Sequence, residues 1–234
     1  MKAIFRRELI AYFTSPIVYV YLAVFTFFSG VFFQATCLYN RTTNMGGIYD
    51  NMFSVLLFII PILTMRLLSE DKKHKTDQCL LTAPVSLTGI VMGKFFAATV
   101  VFCAGMLVFF IYALMLSVYA AVEWQLVICY TVGMAVLGMA FISVGLFISS
   151  LTESQIVSAI GSFACMIVIY MIDMLALFIP NQTIASMLSS LSFLTKFYEF
   201  TYGIVNISAI LFFISFAAVM NFLTVKVLEK RRWG

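Results

Sequence analysis

The side chains that could do chemistry in this chain of 234 residues are few and lie far apart. The single histidine, His74, lies in a basic loop, and no two of the five cysteines have the CxxC spacing of a metal or redox site. Gly93-Lys94 is followed by Phe95 and so does not complete a phosphate-binding loop, and the sequence has neither a nucleophile elbow nor an HExxH motif. We therefore predict no catalytic residue, no metal site and no nucleotide site in this chain.

Asp173 is the one ionisable residue deep inside an apolar run. A charge at the centre of a bilayer costs about 2.5 to 3.5 kcal/mol on insertion scales, so this side chain should face protein or water. One interpretation makes Asp173 a polar element of a pathway through the membrane or a dimer contact. The other places it near the outer end of its helix, seven residues before Pro180, where it is hydrated or hydrogen-bonded.

The elements that position these side chains follow from composition. The chain is 63% hydrophobic and only 10% charged, which excludes an ordinary water-soluble domain. A helix needs about 20 apolar residues to cross the hydrocarbon core, because it rises about 1.5 Å per residue and the core is about 30 Å thick. The uncharged runs predict one all-α transmembrane domain over residues 1–234, with six spans at about 17–37, 52–68, 93–119, 125–149, 156–179 and 203–225.

Two of these spans have sequences that suit contact with other helices. The second span is the shortest and contains Pro61, which favours a position shielded by neighbouring helices over one surrounded by lipid. The fourth span contains Gly133, Gly138 and Gly145, and small residues let helix backbones approach closely. We predict that the second span is shielded by neighbouring helices and that the fourth packs closely against another helix, a structural role more often than a pathway lining.

The distribution of basic residues fixes the orientation and the number of spans. Twelve of the 14 Lys and Arg residues, all except Arg41 and Lys196, fall on one side of the predicted spans, so that side and both termini should be cytoplasmic. A second crossing between Glu153 and Lys196 would move the basic C-terminal tail outside, against this rule. We therefore predict that residues 181–202 form a re-entrant or interfacial helical segment at the outer face, ending in an aromatic cluster at headgroup level: Phe197, Tyr198, Phe200 and Tyr202.

Residues 1–14 are predicted to form an amphipathic helix on the inner membrane surface. Its apolar face would carry Ile4, Phe5, Leu9, Tyr12 and Phe13, whereas Lys2, Arg6, Arg7 and Glu8 lie largely off that face. The basic residues Lys2, Arg6 and Arg7 would anchor the helix to the membrane surface. A simple anchor and a surface that docks a partner are both compatible with this pattern.

The longest polar stretch is the loop of residues 69–90 between the second and third spans. Its first half is strongly charged, and its second half has a short apolar face at helical spacing that Pro84 ends. The residues of that face are Thr76, Cys79, Leu80 and Ala83. Such a helix is either a solvated surface element or a ridge offered to a cytoplasmic partner.

The ordered residues of this loop resemble the signature of type 2 ABC exporter permeases. The matching positions are Glu70, Lys72, Lys73, Thr76, Leu80, Leu81, Thr82, Pro84, Gly93 and Lys94. The N-terminal RRELIAYFTSPIVYV, the C-terminal EKRRW and the span count extend the likeness, which is greatest to the branch of gliding-motility and nitrous-oxide-reductase-maturation permeases. Lys75, Asp77 and Gln78 depart from the residues usual in that family.

The resemblance implies a function that composition alone does not. It implies a permease subunit in a bacterial cytoplasmic membrane, paired with a second permease half and driven by a separate ABC ATPase that binds ATP and Mg. The loop would be a coupling helix seated in a groove of the ATPase, through Glu70, Thr76, Leu80, Leu81, Thr82 and Pro84. The expected substrate is lipid-like or amphipathic and moves outward, membrane lipid is a further partner, and no nucleic acid is bound. The alternatives are an ion-coupled secondary transporter or channel, and a membrane anchor that transports nothing.

Overall fold

The fold is known from a computed structural model that describes residues 2–76, 85–178, 192–201, 203 and 206–233, with backbone only at 173–178, 201 and 233. The described part is helical and contains no β-strand. Its helices are α1 (Lys2–Thr14), α2 (Pro16–Phe33), α3 (Gly46–Thr64), α4 (Ser69–Lys73), α5 (Leu87–Ser117), α6 (Trp124–Leu151), α7 (Gln155–Phe178), α8 (Phe193–Thr201) and α9 (Ile207–Trp233). A π-helical turn, Gln34–Leu38, extends α2.

Among the described residues, six helices are long and apolar enough to cross a membrane, which confirms the predicted six-span all-α fold. They cover Pro16–Leu38, Gly46–Lys73, Leu87–Ser117, Trp124–Leu151, Gln155–Ile172 and Ile207–Arg232. Serine residues begin two of them, as their position before the apolar runs favours. The Ser15 side chain accepts a hydrogen bond from the Ile17 amide ahead of α2, and the Ser86 side chain accepts one from Gly89 at the start of α5.

The core lies around α3 and α6, as the sequence predicts. In each, 67% of the most apolar stretch is buried, compared with 28% in α2 and α9 and 17% in α7. The glycines of α6 permit this packing: a Cβ added at Gly138 would lie 2.2 Å from the Phe102 ring, and one at Gly145 would lie 2.1 Å from Thr64 Oγ1. No side chain could occupy that space unless its neighbour moved.

The segment predicted to lie at the outer face falls mostly outside the described residues. Its end, α8, is described, and it differs from the expectation of an aromatic cluster at headgroup level. Phe193, Phe197 and Phe200 are buried, and the Phe197 ring lies 5.6 Å from that of Phe53 in α3. The spacing of four and then three residues puts these rings on one helical face, which packs into the bundle.

Both ends of the described chain lie at the same end of the bundle. Helix α1 packs along α5, and at the other terminus Arg231 of α9 lies 3.4 Å from Glu153 in the turn between α6 and α7. Segment 65–76, which follows α3, joins them there. We call this region the basic end, because it contains the basic residues that sequence analysis assigned to one side.

Candidate functional site

Lys94 forms the centre of a buried ionic cluster at the basic end. It belongs to the second turn of α5, and only 1% of its surface is exposed. Its Nζ lies 3.0 Å from Glu8 Oε1 of α1 and 2.6 Å from Asp71 Oδ2 of α4. A buried ammonium needs opposite charges close to it, because water no longer solvates it. Lys94 thereby fastens the N-terminal helix and the loop after α3 to the third span.

Arg7 completes this group, and we call Arg7, Glu8, Asp71 and Lys94 the charge cluster. Its guanidinium donates to Glu8 Oε1 at 2.5 Å and lies 3.6 Å from Asp71 Oδ2. Burial acts to lower the Arg7 pKa, but the hydrogen bond and charge of Glu8 together with the charge of Asp71 outweigh it, so the pKa is raised. The cluster contains two cations and two anions and is neutral overall.

A second set of contacts joins the end of α1 to the end of α3. The buried Tyr12 hydroxyl donates to the carbonyl of Leu63 at 3.0 Å. Burial raises the pKa of this phenol, so it stays protonated and keeps its donor at any physiological pH. Arg66 contacts both α4 and the residue before α2. Its Nε lies 2.5 Å from Glu70 Oε2, and its Nη1 donates to the Ser15 hydroxyl.

The C-terminal end of α6 supports the same segment from the other side. Ser149 Oγ accepts hydrogen bonds from the amides of Leu68 and Ser69, each at 3.0 Å, and donates to the Met65 carbonyl at 3.2 Å. The Lys72 ammonium donates to the Ser150 carbonyl. The Met65 carbonyl at the end of α3 and the two amides at the start of α4 therefore find their partner on α6. Residues 65–73 are fixed to α1, α5 and α6 together.

A cleft of about 310 Å³ opens between α1 and this segment. Its acidic and basic lining residues are Arg7, Glu8, Arg66, Glu70, Asp71, His74 and Lys94. In the described part of the chain, no group of three or more His, Cys, Asp and Glu side chains could hold a metal ion. The cleft offers charges of both signs, which suits recognition of a charged protein surface better than chemistry on a small molecule.

The structure locates two of the six predicted coupling residues. Glu70 lies in α4 as the ion-pair partner of Arg66. Thr76 is exposed, and its hydroxyl donates to Asp71 Oδ1 at 3.0 Å. Thr76 is therefore hydrogen-bonded directly to a member of the charge cluster. The remaining four, Leu80, Leu81, Thr82 and Pro84, lie outside the described residues.

The other predicted site residues are dispersed. Lys2 and Arg6 are exposed on α1, whereas Arg7 belongs to the charge cluster. The backbone of Asp173 lies in α7, but its side chain is outside the described part.

The packed face of α1 differs from the predicted one. Ile4, Glu8 and Tyr12 form a buried row at a spacing of four residues, and Phe13 is 48% exposed. The assignment of Glu8 to the polar face was wrong, because Lys94 supplies a partner that lets a carboxylate occupy the buried row. The exposed Phe13 is compatible with the predicted contact between this helix and the membrane surface. Sequence reasoning also missed the parts played by Asp71, Lys94 and Ser149. The available signal was Lys94 itself, a charge among the apolar residues that begin the third span.

In the described part of the chain, six apolar spans with a polar assembly at one end define a multi-pass membrane protein. The model of the family described as "ABC-2 family transporter protein" matches residues 31–232. The chain therefore belongs to the ABC-2 transporter family, as a membrane subunit that is not itself catalytic. No curated protein matches it at a significant level.

Proposed function

We propose that this chain is the permease subunit of an ATP-driven exporter, moved by a separate ABC ATPase that binds ATP and Mg. Two permease halves form the pathway, and a lipid-like or amphipathic substrate moves outward from a bacterial cytoplasmic membrane. The sequence motifs resemble those of the gliding-motility and nitrous-oxide-reductase-maturation permeases, and we place the chain in that branch. Family membership supports the transporter class. The basic residues support an orientation with the basic end and both termini in the cytoplasm.

The observation that carries the coupling proposal is the placement of Lys94 between Glu8 and Asp71. The predicted docking residues, 76–84, follow shortly after segment 65–73, which is fixed to α1, α5 and α6. A push on the docking residues therefore meets a neutral, buried ionic assembly rather than a pliable loop. Because packed interiors transmit displacement, movement of α4 would carry α1 and the third span with it.

The C-terminal side of the docking residues is also attached directly to a span. Ser86 caps α5, with its Oγ 3.2 Å from the amide of Gly89, so only Val85 separates the end of the docking segment from this cap. Force applied between Thr76 and Pro84 thus reaches α5 by two routes, through the backbone at Ser86 and through the ammonium of Lys94. We infer that tilting of α5 relative to α6 is the movement that ATP binding drives.

The test is to co-purify the chain with a candidate ATPase, encoded in an adjacent reading frame with a phosphate-binding loop, and to measure ATP hydrolysis. Leu80→Asp places a charge on the docking ridge, and Pro84→Ala removes the residue that ends it. We expect Leu80→Asp to prevent assembly or to abolish stimulation of the ATPase by the permease. Pro84→Ala should assemble but lose most of the coupling.

Ser154→Asp is the matched control, since it adds the same charge at an exposed position of the basic end, in the turn between α6 and α7. It should leave assembly and activity unchanged. If the complex forms and its activity is indifferent to both docking variants, the coupling assignment is wrong. If it forms and responds, but no substrate moves in reconstituted vesicles, the chain is an anchor rather than an exporter.

A further inference from the structure

A groove of about 410 Å³ lies between α5 and α9, with Met139 of α6 among its lining residues. Its volume is within the range of about 300 to 1,000 Å³ that is typical of ligand pockets. It lies on a side of the bundle where the flanking span α9 is only 28% buried, so it opens toward lipid rather than toward the core. The groove is distinct from the charged cleft at the basic end, with which it shares no residue.

The lining comes from one face of each helix. On α5 it comprises Thr88, Met92, Phe95 and Phe96, and on α9 it comprises Ile214, Ala217, Ala218, Asn221, Phe222 and Val225. The spacings of three, four, seven and eight residues are those of a continuous helical stripe. The two alanines make the room, since their neighbours along the stripe are large. The walls are almost wholly apolar, as an acyl chain requires.

The lining contains two polar residues, the exposed Thr88 and the buried Asn221. Asn221 is 5% exposed, and its Oδ1 has no hydrogen-bond partner among the described residues. Buried amide groups in folded proteins are nearly always paired, and in hydrocarbon no water can replace a missing partner. An amide carries both a donor and an acceptor, and rotation of its terminal bond exchanges their positions. Asn221 can therefore pair with an ester carbonyl or with a hydroxyl of a molecule in the groove.

A cation lies at the end of the groove nearest to the basic end. The Lys226 ammonium is 5.6 Å from the centre of the Phe222 ring, which lines the groove, and Lys226 follows Phe222 by four residues on the same helical face. The ammonium also lies 2.7 Å from Glu229 Oε2, but both side chains of this pair are exposed, and such a pair is weak enough for a lipid phosphate to compete with it. Asn221 lies five residues before Lys226, about 7.5 Å deeper along the helix. Polar groups are thus arranged by depth: a charge at the headgroup level, an amide below it, and apolar walls beyond.

We propose that this groove binds an anionic phospholipid from the leaflet at the basic end. The lipid phosphate pairs with Lys226, the glycerol ester region or a headgroup hydroxyl pairs with Asn221, and one acyl chain lies along Phe95, Phe96 and Ala218. Basic residues beside intramembrane grooves are the usual means by which proteins select anionic headgroups. A second copy of this chain could satisfy Asn221 only if one of its own polar side chains reached the same depth. Every phospholipid carries polar ester groups at that depth. The site requires only that the chain be inserted in a membrane and does not depend on the ATPase.

The test is titration of the purified, delipidated full chain with phosphatidylglycerol or with phosphatidylcholine, with bound lipid counted by native mass spectrometry. The wild-type chain should bind phosphatidylglycerol in preference to phosphatidylcholine. Ala218→Phe fills the groove from an exposed position and should abolish this binding. Asn221→Leu should weaken it roughly two- to tenfold, the range for one net hydrogen bond. Lys226→Met should remove the preference for phosphatidylglycerol and leave the two lipids bound equally.

Val219→Phe is the control, because Val219 is 57% exposed on the same helix and does not line the groove. It should bind phosphatidylglycerol like the wild type. Melting of each variant without lipid shows whether the fold is intact, and Ala218→Phe should match Val219→Phe there. Equal binding by Ala218→Phe and Val219→Phe would overturn the proposal. So would a change in oligomeric mass confined to Ala218→Phe, which would identify the groove as a contact between copies.

Discussion

The buried spans α3 and α6 and the lipid-facing span α7 have nearly the same mean hydropathy, 2.1, 2.2 and 2.0, but differ fourfold in burial, at 67%, 67% and 17%. Hydropathy therefore reports that a helix crosses the membrane and does not report what surrounds it. In lipid, apolar side chains gain little by leaving their solvent, so association depends on close packing and on polar contacts. The glycines of α6 and the hydroxyl of Ser149 provide both.

The buried pair also supports the candidate docking segment. Segment 65–73 follows α3 directly and is held by Ser149 and Ser150 at the end of α6. The peripheral span α2 contacts this segment through its cap, since the Ser15 hydroxyl accepts a hydrogen bond from Arg66. The buried spans and the candidate docking segment therefore lie together, which leaves the peripheral helices to face lipid or another chain.

The largest expected effect is at the charge cluster. Lys94→Met leaves the carboxylates of Glu8 and Asp71 buried together without their ammonium. Removing one partner of a buried ion pair costs about 3 to 5 kcal/mol, so melting in detergent should show a large loss of stability. Adding Glu8→Gln and Asp71→Asn to the same chain should restore much of it, because the charge that then loses its partners, Arg7, is 48% exposed and stays solvated.

The peripheral pair between Arg231 and Glu153 provides the comparison. The Glu153 side chain is 67% exposed, and exposed pairs contribute about 0 to 1 kcal/mol. Glu153→Gln should therefore leave the melting temperature nearly unchanged. If Lys94→Met were as mild as Glu153→Gln, the cluster would not be a rigid connection.

Much of the fold could be predicted from the sequence, because the determining quantities are local. Apolar length counts the spans, and Ser15-Pro16 places the break between α1 and α2. The polarity of individual faces could not be predicted in the same way. Glu8 is charged and Phe13 is apolar, but which of them is buried depends on Lys94, which is 86 residues away from Glu8 in the chain. The candidate site could not be predicted for the same reason, because the side chains that contact one another there come from four separate helices.

A matched pair of isoleucines compares the buried and lipid-facing spans directly. Ile142 in α6 is fully buried, whereas Ile160 in α7 is 63% exposed. Ile142→Ala should cost about 2 to 5 kcal/mol, because it removes packed methyl groups and leaves a cavity. Ile160→Ala should cost under about 0.5 kcal/mol, since lipid or detergent fills the space. Chemical unfolding of both variants in the same detergent measures the difference.

The Ile160 result also reports on the second permease half. If Ile160→Ala is as costly as Ile142→Ala, the exposed face of α7 is covered by another chain in the purified protein. A cost that falls when the protein is diluted would identify that chain as a dissociable copy. A small cost at every concentration would support a lipid-facing α7.

The most local effect is expected at Ser149, where the end of α6 meets the segment after α3, and it separates stability from rigidity. Ser149→Ala removes the acceptor for two buried amides, those of Leu68 and Ser69, at a cost of about 1 to 3 kcal/mol. Hydrogen exchange should speed up in residues 65–73 and stay unchanged in the middle of α6, because the loss is local. Ser143→Ala is the control, since the Ser143 hydroxyl donates only to Ala140 within its own helix. If exchange rose equally along α3 and α6 in Ser149→Ala, the docking segment would be held by the bundle as a whole rather than by the end of α6, and the route from the loop into the membrane would be less specific than the contacts indicate.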